Sequence, residues 1–148
     1  MLPETVLRLA AAYPHQIIGV KEASGKQEQI EAILRGARGS EFVVLSGDDG
    51  LTVPLMMAGA HGLISVLSNA LPEATMRLVH QPTLAQQEAL DGLIRALFAE
   101  GNPTGIKALL QIQGVAKDHV RLPLVEASEG LKNDLRKLVE TYEYSDFR

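Results

Sequence analysis

Cysteine does not occur among the 148 residues, which excludes disulfides and thiolate chemistry together. Long apolar runs are missing as well. Nothing approaches the eighteen or so consecutive apolar residues of a membrane span, and the opening MLPETVLRLAAAYPHQ has no basic segment leading into an apolar one. A cytoplasmic protein with no membrane partner is expected. Positive charge is not in excess either: fourteen Lys and Arg, scattered along the chain, stand against eighteen Asp and Glu for a formal charge of −4. No basic face is offered to nucleic acid. The four histidines, His15, His61, His80 and His119, include no i, i+4 pair and no Glu companion of the kind that binds a metal. They are expected on the surface or in loops, with no metal site. Low-complexity and linker segments are also lacking.

The chain that remains is globular in composition, 46% hydrophobic and 22% charged, and long enough to bury a sizeable core. Leu2-Pro3-Glu4 opens a helix with a proline in the first turn and an acid at the positive end of the dipole. Val6, Leu7 and Ala10 give it an apolar side, and Tyr13-Pro14 ends it. The run Ile17 to Val20 then predicts a strand covered on both faces. From Lys26 the spacing of Ile30, Ile33, Leu34 and Ala37 predicts an amphipathic helix ended by Gly39-Ser40. The plan repeats as a strand from Phe42 to Leu45, a turn GDDG and a short helix LTVPLMMAGA, then as a strand from Leu63 to Leu67, a turn at Ser68-Asn69 and a helix opened by Leu71-Pro72-Glu73.

Three strand-then-helix units with continuously apolar strands argue for parallel strands and covering helices. Either an open doubly wound sheet or part of an eight-fold barrel fits, and the absence of G-x-G-x-x-G after the first strand favours the barrel. Beyond Pro82 the period is helical throughout. Leu90, Leu93, Ile94, Leu97 and Phe98 mark one helix, Ile106, Leu109 and Leu110 a second, and Leu131, Leu135, Leu138, Val139 and Tyr142 a third with Ser128 as its cap. The expected division is a partial barrel over residues 1–82 and a helical domain over 83–148.

In parallel α/β units the chemistry gathers at the carboxyl ends of the strands. Lys21 falls at that end of the first strand, SGDD at that end of the second and SN at that end of the third. An amine at the mouth of an apolar barrel loses part of its solvation, which lowers its pKa and exposes a neutral nucleophile able to condense with a ketone or keto acid. The plainer alternative is a lysine that pairs with Glu22 or Asp48, or that reaches solvent. Asp48 and Asp49 read more simply as a helix cap and a first-turn acid than as catalytic groups. Gly47 lets backbone come close to a small ligand. Gly19 to Lys26 is no phosphate loop, since five residues rather than four separate Gly19 from Gly25 and Gln27 stands where a hydroxyl is needed.

The segments IIGVKEASG, FVVLSGDD, GAHGLISVLSN and NPTGIKALL, in this order, resemble the dihydrodipicolinate synthase family of pyruvate-dependent class I aldolases, to which N-acetylneuraminate lyase is related. The resemblance runs over almost the whole chain and matches the carboxyl-terminal half of a family member. It implies a (β/α)8 barrel, of which this chain holds the last three βα units, followed by a helical domain. It further implies that Lys21 forms a Schiff base with pyruvate and that the enamine attacks aspartate semialdehyde in lysine and diaminopimelate biosynthesis. Gly47 and the backbone carbonyl of Ile64 would line the keto-acid pocket. No cofactor is implied beyond the covalent pyruvate–lysine intermediate.

The resemblance also implies what this chain lacks: the threonines of the second strand, the relay tyrosine and the aldehyde-gripping arginine would all lie upstream, and Tyr13, Tyr142 and Tyr144 are outside the tyrosine's motif. A homo-oligomer or a complementing amino-terminal half is therefore the expected partner. A related aldolase for a sugar acid, or a half-barrel with a binding or structural role and no catalysis, are the alternatives. Thr104-Gly105 stands where the family usually has an apolar residue and a proline, from which a local change of stability is expected.

Overall fold

The computed structural model describes the backbone of residues 1–144 and the side chains of residues 1–142; the last residues of the expected 83–148 domain lie outside the described residues. Two compact units form, one from Met1–Ser65 with Leu78–Leu84, the other from Val66–Arg77 with the chain from Ala85 onward.

The first unit is an α/β layer. Helix α1 (Pro3–Ala12) has Pro3 and Glu4 in its first turn. It is followed by strand β1 (Gly19–Glu22), α2 (Gln27–Gly36), β2 (Val43–Ser46), a 3-10 turn at Asp49–Leu51, α3 (Thr52–Met57) and β3 (Gly62–Leu63). The three strands lie parallel in the order β1-β2-β3. Lys21 is opposite Leu45, which is opposite Gly62. The helix spacing read from the sequence is realised. Ile30 and Ile33 of α2 are fully buried with Val6 of α1, Phe42, Val44 of β2 and Leu55 of α3, and burial of each such side chain contributes roughly 1.5–3 kcal/mol.

The strands differ from expectation at their ends. β1 starts two residues later than Ile17, because the amides of Gln16 and Ile17 are taken by the Tyr13 carbonyl (3.1 and 2.8 Å) in a turn that leaves α1. β2 is displaced by one residue, to Val43–Ser46. β3 is only Gly62–Leu63, far shorter than Leu63 to Leu67. A strand lasts as long as its partner, and β2 stops at Ser46. The final ladder bond is the Ile64 amide on the Ser46 carbonyl at 2.8 Å, after which the chain turns into a 3-10 segment at Leu67–Asn69.

The second unit is helical. It takes the Leu67–Asn69 turn, the first part of α4 (Pro72–His80), α5 (Leu84–Phe98), α6 (Thr104–Ile112) and α7 (Glu129–Tyr144). Leu90, Leu93, Ile94, Leu97, Ile106, Leu109, Leu131, Leu135 and Val139 are buried as their periodicity predicts, whereas Phe98, expected on the same stripe, closes α5 and is 42% exposed. Ser128 caps α7 as expected: its Oγ accepts the Leu131 amide at 3.2 Å. The same hydroxyl and the Ser128 amide donate to the Glu100 carboxylate.

The segment between α6 and α7 is pinned by a buried ion pair, Lys132 Nζ to Asp118 Oδ2 at 3.0 Å, with Gln111 Nε2 donating to Asp118 Oδ1 at 2.9 Å. The Lys132 ammonium beside it holds the Asp118 carboxyl below its ordinary range, and Asp118 with Glu129 holds Lys132 above its own. A depressed carboxyl stabilises the fold above its unfolded pKa, and that contribution is lost as pH falls through the folded value. A raised ammonium stabilises below its unfolded pKa, and that contribution is lost as pH rises through the folded value. The pair therefore supports the helical unit across the neutral range. Asp118→Asn is expected to lower the melting temperature at neutral pH and to flatten its decline on acidification, in melting curves recorded downward through the carboxylate range. An acid limb as steep as that of the parent would show that Asp118 does not carry it.

Candidate active site

Side chains alternate across a strand, and the alternation divides the sheet into two unlike faces. Val44, Ser46 and Glu22 point to the covered face and are 0%, 0% and 7% exposed. Lys21, Leu45 and Gly47 share the other face with Gly62 by register, and there Lys21 is exposed.

The desolvation expected at a barrel mouth is not met within these three strands. A lysine at a strand end loses solvation only when a layer lies over its face, and within this unit the described residues place their helices over the opposite face. Of the two plainer alternatives, solvent exposure holds and pairing with Glu22 or Asp48 does not. Among the described residues Lys21 forms no ion pair. Glu22, its neighbour in sequence, points the other way and is engaged by the Ser24 amide at 3.2 Å, the Ser24 hydroxyl at 2.8 Å and Gln29 Nε2 at 2.9 Å.

Lys21 and Gly47 are brought together. The Gly47 amide donates to the Glu22 carbonyl at 2.8 Å, which fixes it one step beyond the β1–β2 ladder. A Cβ built on Gly47 would lie 2.6 Å from Lys21 Cε, 3.2 Å from Lys21 Cγ and 2.6 Å from Ala23 Cβ. The lysine stem thus runs across the side-chain-free surface of Gly47. Ile64 is placed one strand further over, just past β3, with its amide on Ser46 and its side chain 46% exposed. The three expected residues therefore gather at the carboxyl ends of three adjacent strands, two of them in contact. At the other end of the strands a groove of about 520 Å³, lined by Leu7, Ala10, Ile17, Phe42 and Val43 among others, contains none of them.

The acids of the second turn divide. Asp48 caps the 3-10 turn, its carboxylate accepting the Gly50 amide at 2.9 Å, as expected. Asp49 is 2% exposed and receives the Ser65 hydroxyl, so it ties the end of β2 to the chain after β3. Sequence reading missed this strut because its partner lies sixteen residues on. It also missed the Glu22 cluster, whose signal was available: a residue next to an open-face lysine must face the helices. Among the described residues Asp118, His119 and Glu126 bring one ligand-type atom each within 4.8 Å, but Asp118 already faces the Lys132 ammonium, which opposes a cation there.

The chain matches the model of the dihydrodipicolinate synthetase family over residues 1–142. It is 44% identical over 134 residues to 4-hydroxy-tetrahydrodipicolinate synthase of Porphyromonas gingivalis, a match that covers 85% of this chain and 44% of that protein. Among solved structures, dihydrodipicolinate synthase from Thermotoga maritima superposes with a TM-score of 0.88 at 35% identity, covering 96% of this chain and 51% of that one. The chloride-inhibited enzyme from Acinetobacter baumannii complexed with pyruvate gives 0.86 at 29% identity, covering 96% and 50%. The chain spans about half the length of these relatives. With a parallel sheet, helices on one face and a lysine at the strand ends, this chain belongs to the dihydrodipicolinate synthetase family.

Proposed function

We propose that this chain is the part of a 4-hydroxy-tetrahydrodipicolinate synthase that carries the Schiff-base lysine, comprising the last three βα units of a (β/α)8 barrel and its helical domain. One observation carries the reading: Lys21, on the open face of a parallel sheet and at its carboxyl end, has its stem laid against Gly47. Unprotonated, the Lys21 amine attacks the keto carbon of pyruvate, and loss of water leaves an iminium ion. The iminium draws electrons from the adjacent methyl, which gives up a proton to form an enamine, and the enamine carbon attacks the aldehyde carbon of aspartate semialdehyde. The positive nitrogen is the electron sink, so the condensation itself calls for no cofactor. Gly47 and the Ile64 carbonyl border the keto acid. The bound pyruvate of the Acinetobacter baumannii relative fits this substrate class.

The exposure of Lys21 makes the reading specific. The amine loses its solvent shell where the remaining strands of a barrel close over the open face. The cytoplasm, as part of a route to lysine, is the setting this chemistry suggests.

Incubation with pyruvate and borohydride, followed by intact mass and peptide mapping, tests the proposal. A reduced pyruvyl adduct confined to Lys21 is expected, in higher yield when the complementing half of a relative is added. No adduct under either condition, with a full-length relative trapped normally in the same buffer, overturns the catalytic reading.

A further inference from the structure

Nothing polar aims the Lys21 side chain. Among the described residues it has no ion pair, and an exposed lysine stem is free to occupy many rotamers. Its direction rests on shape. Cγ and Cε lie where a Cβ on Gly47 would be 3.2 and 2.6 Å away, and Ala23 Cβ closes the same space at 2.6 Å. Ala23 is on the Lys21 face two residues along the chain, and Gly47 is held in place by the hydrogen bond its amide donates to the Glu22 carbonyl.

We infer that Gly47 and Ala23 form a seat for the Lys21 stem and act as positioning residues for the amine. Gly47 does this separately from any contact it makes with a keto acid. The consequence for catalysis rests on the Schiff-base reading above, whereas the seat itself does not. A methyl group at position 47 overlaps the stem and drives the amine out of line. Displacement of a reacting group by about 1 Å costs on the order of a hundred-fold in rate.

Two readouts on the same chain test the seat. The first is the rate of borohydride trapping with pyruvate across pH. The second needs no pyruvate: lysines are methylated with 13C-formaldehyde and borohydride, and the Lys21 methyl resonance, assigned through Lys21→Arg, is followed by NMR. Gly47→Ala is compared with Gly62→Ala, which adds a methyl on the same face in the neighbouring strand, where it meets only Leu45 Cδ2 at 3.3 Å. Gly47→Ala is expected to move the Lys21 resonance and to slow trapping by roughly a hundred-fold, with Gly62→Ala close to the parent in both. Ala23→Val, at an exposed position, enlarges the other wall and replaces Gly47→Ala should that variant not fold. An unmoved resonance in the folded variants, or equal movement in Gly62→Ala, overturns the seat. A parent that gives no adduct while its resonance responds to Gly47→Ala keeps the seat and overturns the Schiff-base reading instead.

Discussion

Lys21→Arg is expected to abolish the trapped pyruvate adduct and leave the fold intact. A guanidinium stays protonated through the whole working range and has no free amine pair, so it cannot add to a keto carbon. Charge and most of the stem are kept, which leaves condensation as the property removed. Lys21 is exposed, so its replacement strands no buried partner, and the melting temperature should stay near that of the parent. Where activity is supported by a complementing half, loss of the nucleophile should cost several orders of magnitude in turnover. Peptide mapping gives the check its resolution. Lys26 lies just past the same strand, at the start of α2, and an adduct that persists in Lys21→Arg and maps to Lys26 would transfer the nucleophile to that residue.

The lysine was legible in the sequence because its context is local: a short apolar run, then a cation, then a glycine turn. Legibility failed wherever the outcome depends on a neighbouring strand. The length of β3 is decided by the end of β2, and the stretch Leu63 to Leu67 carries no trace of that limit. The fit of the Lys21 stem over Gly47 depends on cross-strand register, which no spacing along one segment reveals. Burial of Asp49 depends on Ser65 in the same way: GDDG alone gave a cap and a first-turn acid, which the structure has, but not the strut that Asp49 also forms. The Ser128 cap was readable, since donor and acceptor are three residues apart. The Asp118–Lys132 pair was not, because it joins a loop to a helix. Exposure of Lys21 has a related cause: an apolar strand implies cover on both faces, and the described unit covers one.

Gly105→Ala is expected to destabilise the helical unit by about 2 kcal/mol, and the reason lies in which atoms it meets. Gly105 is the second residue of α6. A Cβ there collides with the Leu97 carbonyl oxygen, with the carbonyl carbon at 2.7 Å and Cα at 2.9 Å. These are backbone atoms in the last turn of α5, so no rotamer change relieves the contact and the two helices must separate. Leu97, Ile106 and Leu109 are 0%, 6% and 0% exposed, and separation loosens all three. Overpacking of this kind costs about 1–3 kcal/mol and occasionally more, whereas alanine recovers up to about 1 kcal/mol of helix propensity over glycine. The clash wins, and the melting temperature should fall by roughly 10 °C. Gly92→Ala supplies the contrast. It lies inside α5, and its Cβ would meet only the movable end of Leu138, at 3.3 Å from Cδ2, so the propensity gain should leave the protein as stable as the parent or more so. If both variants melt alike, the close approach at Gly105 is not what holds α6 against α5.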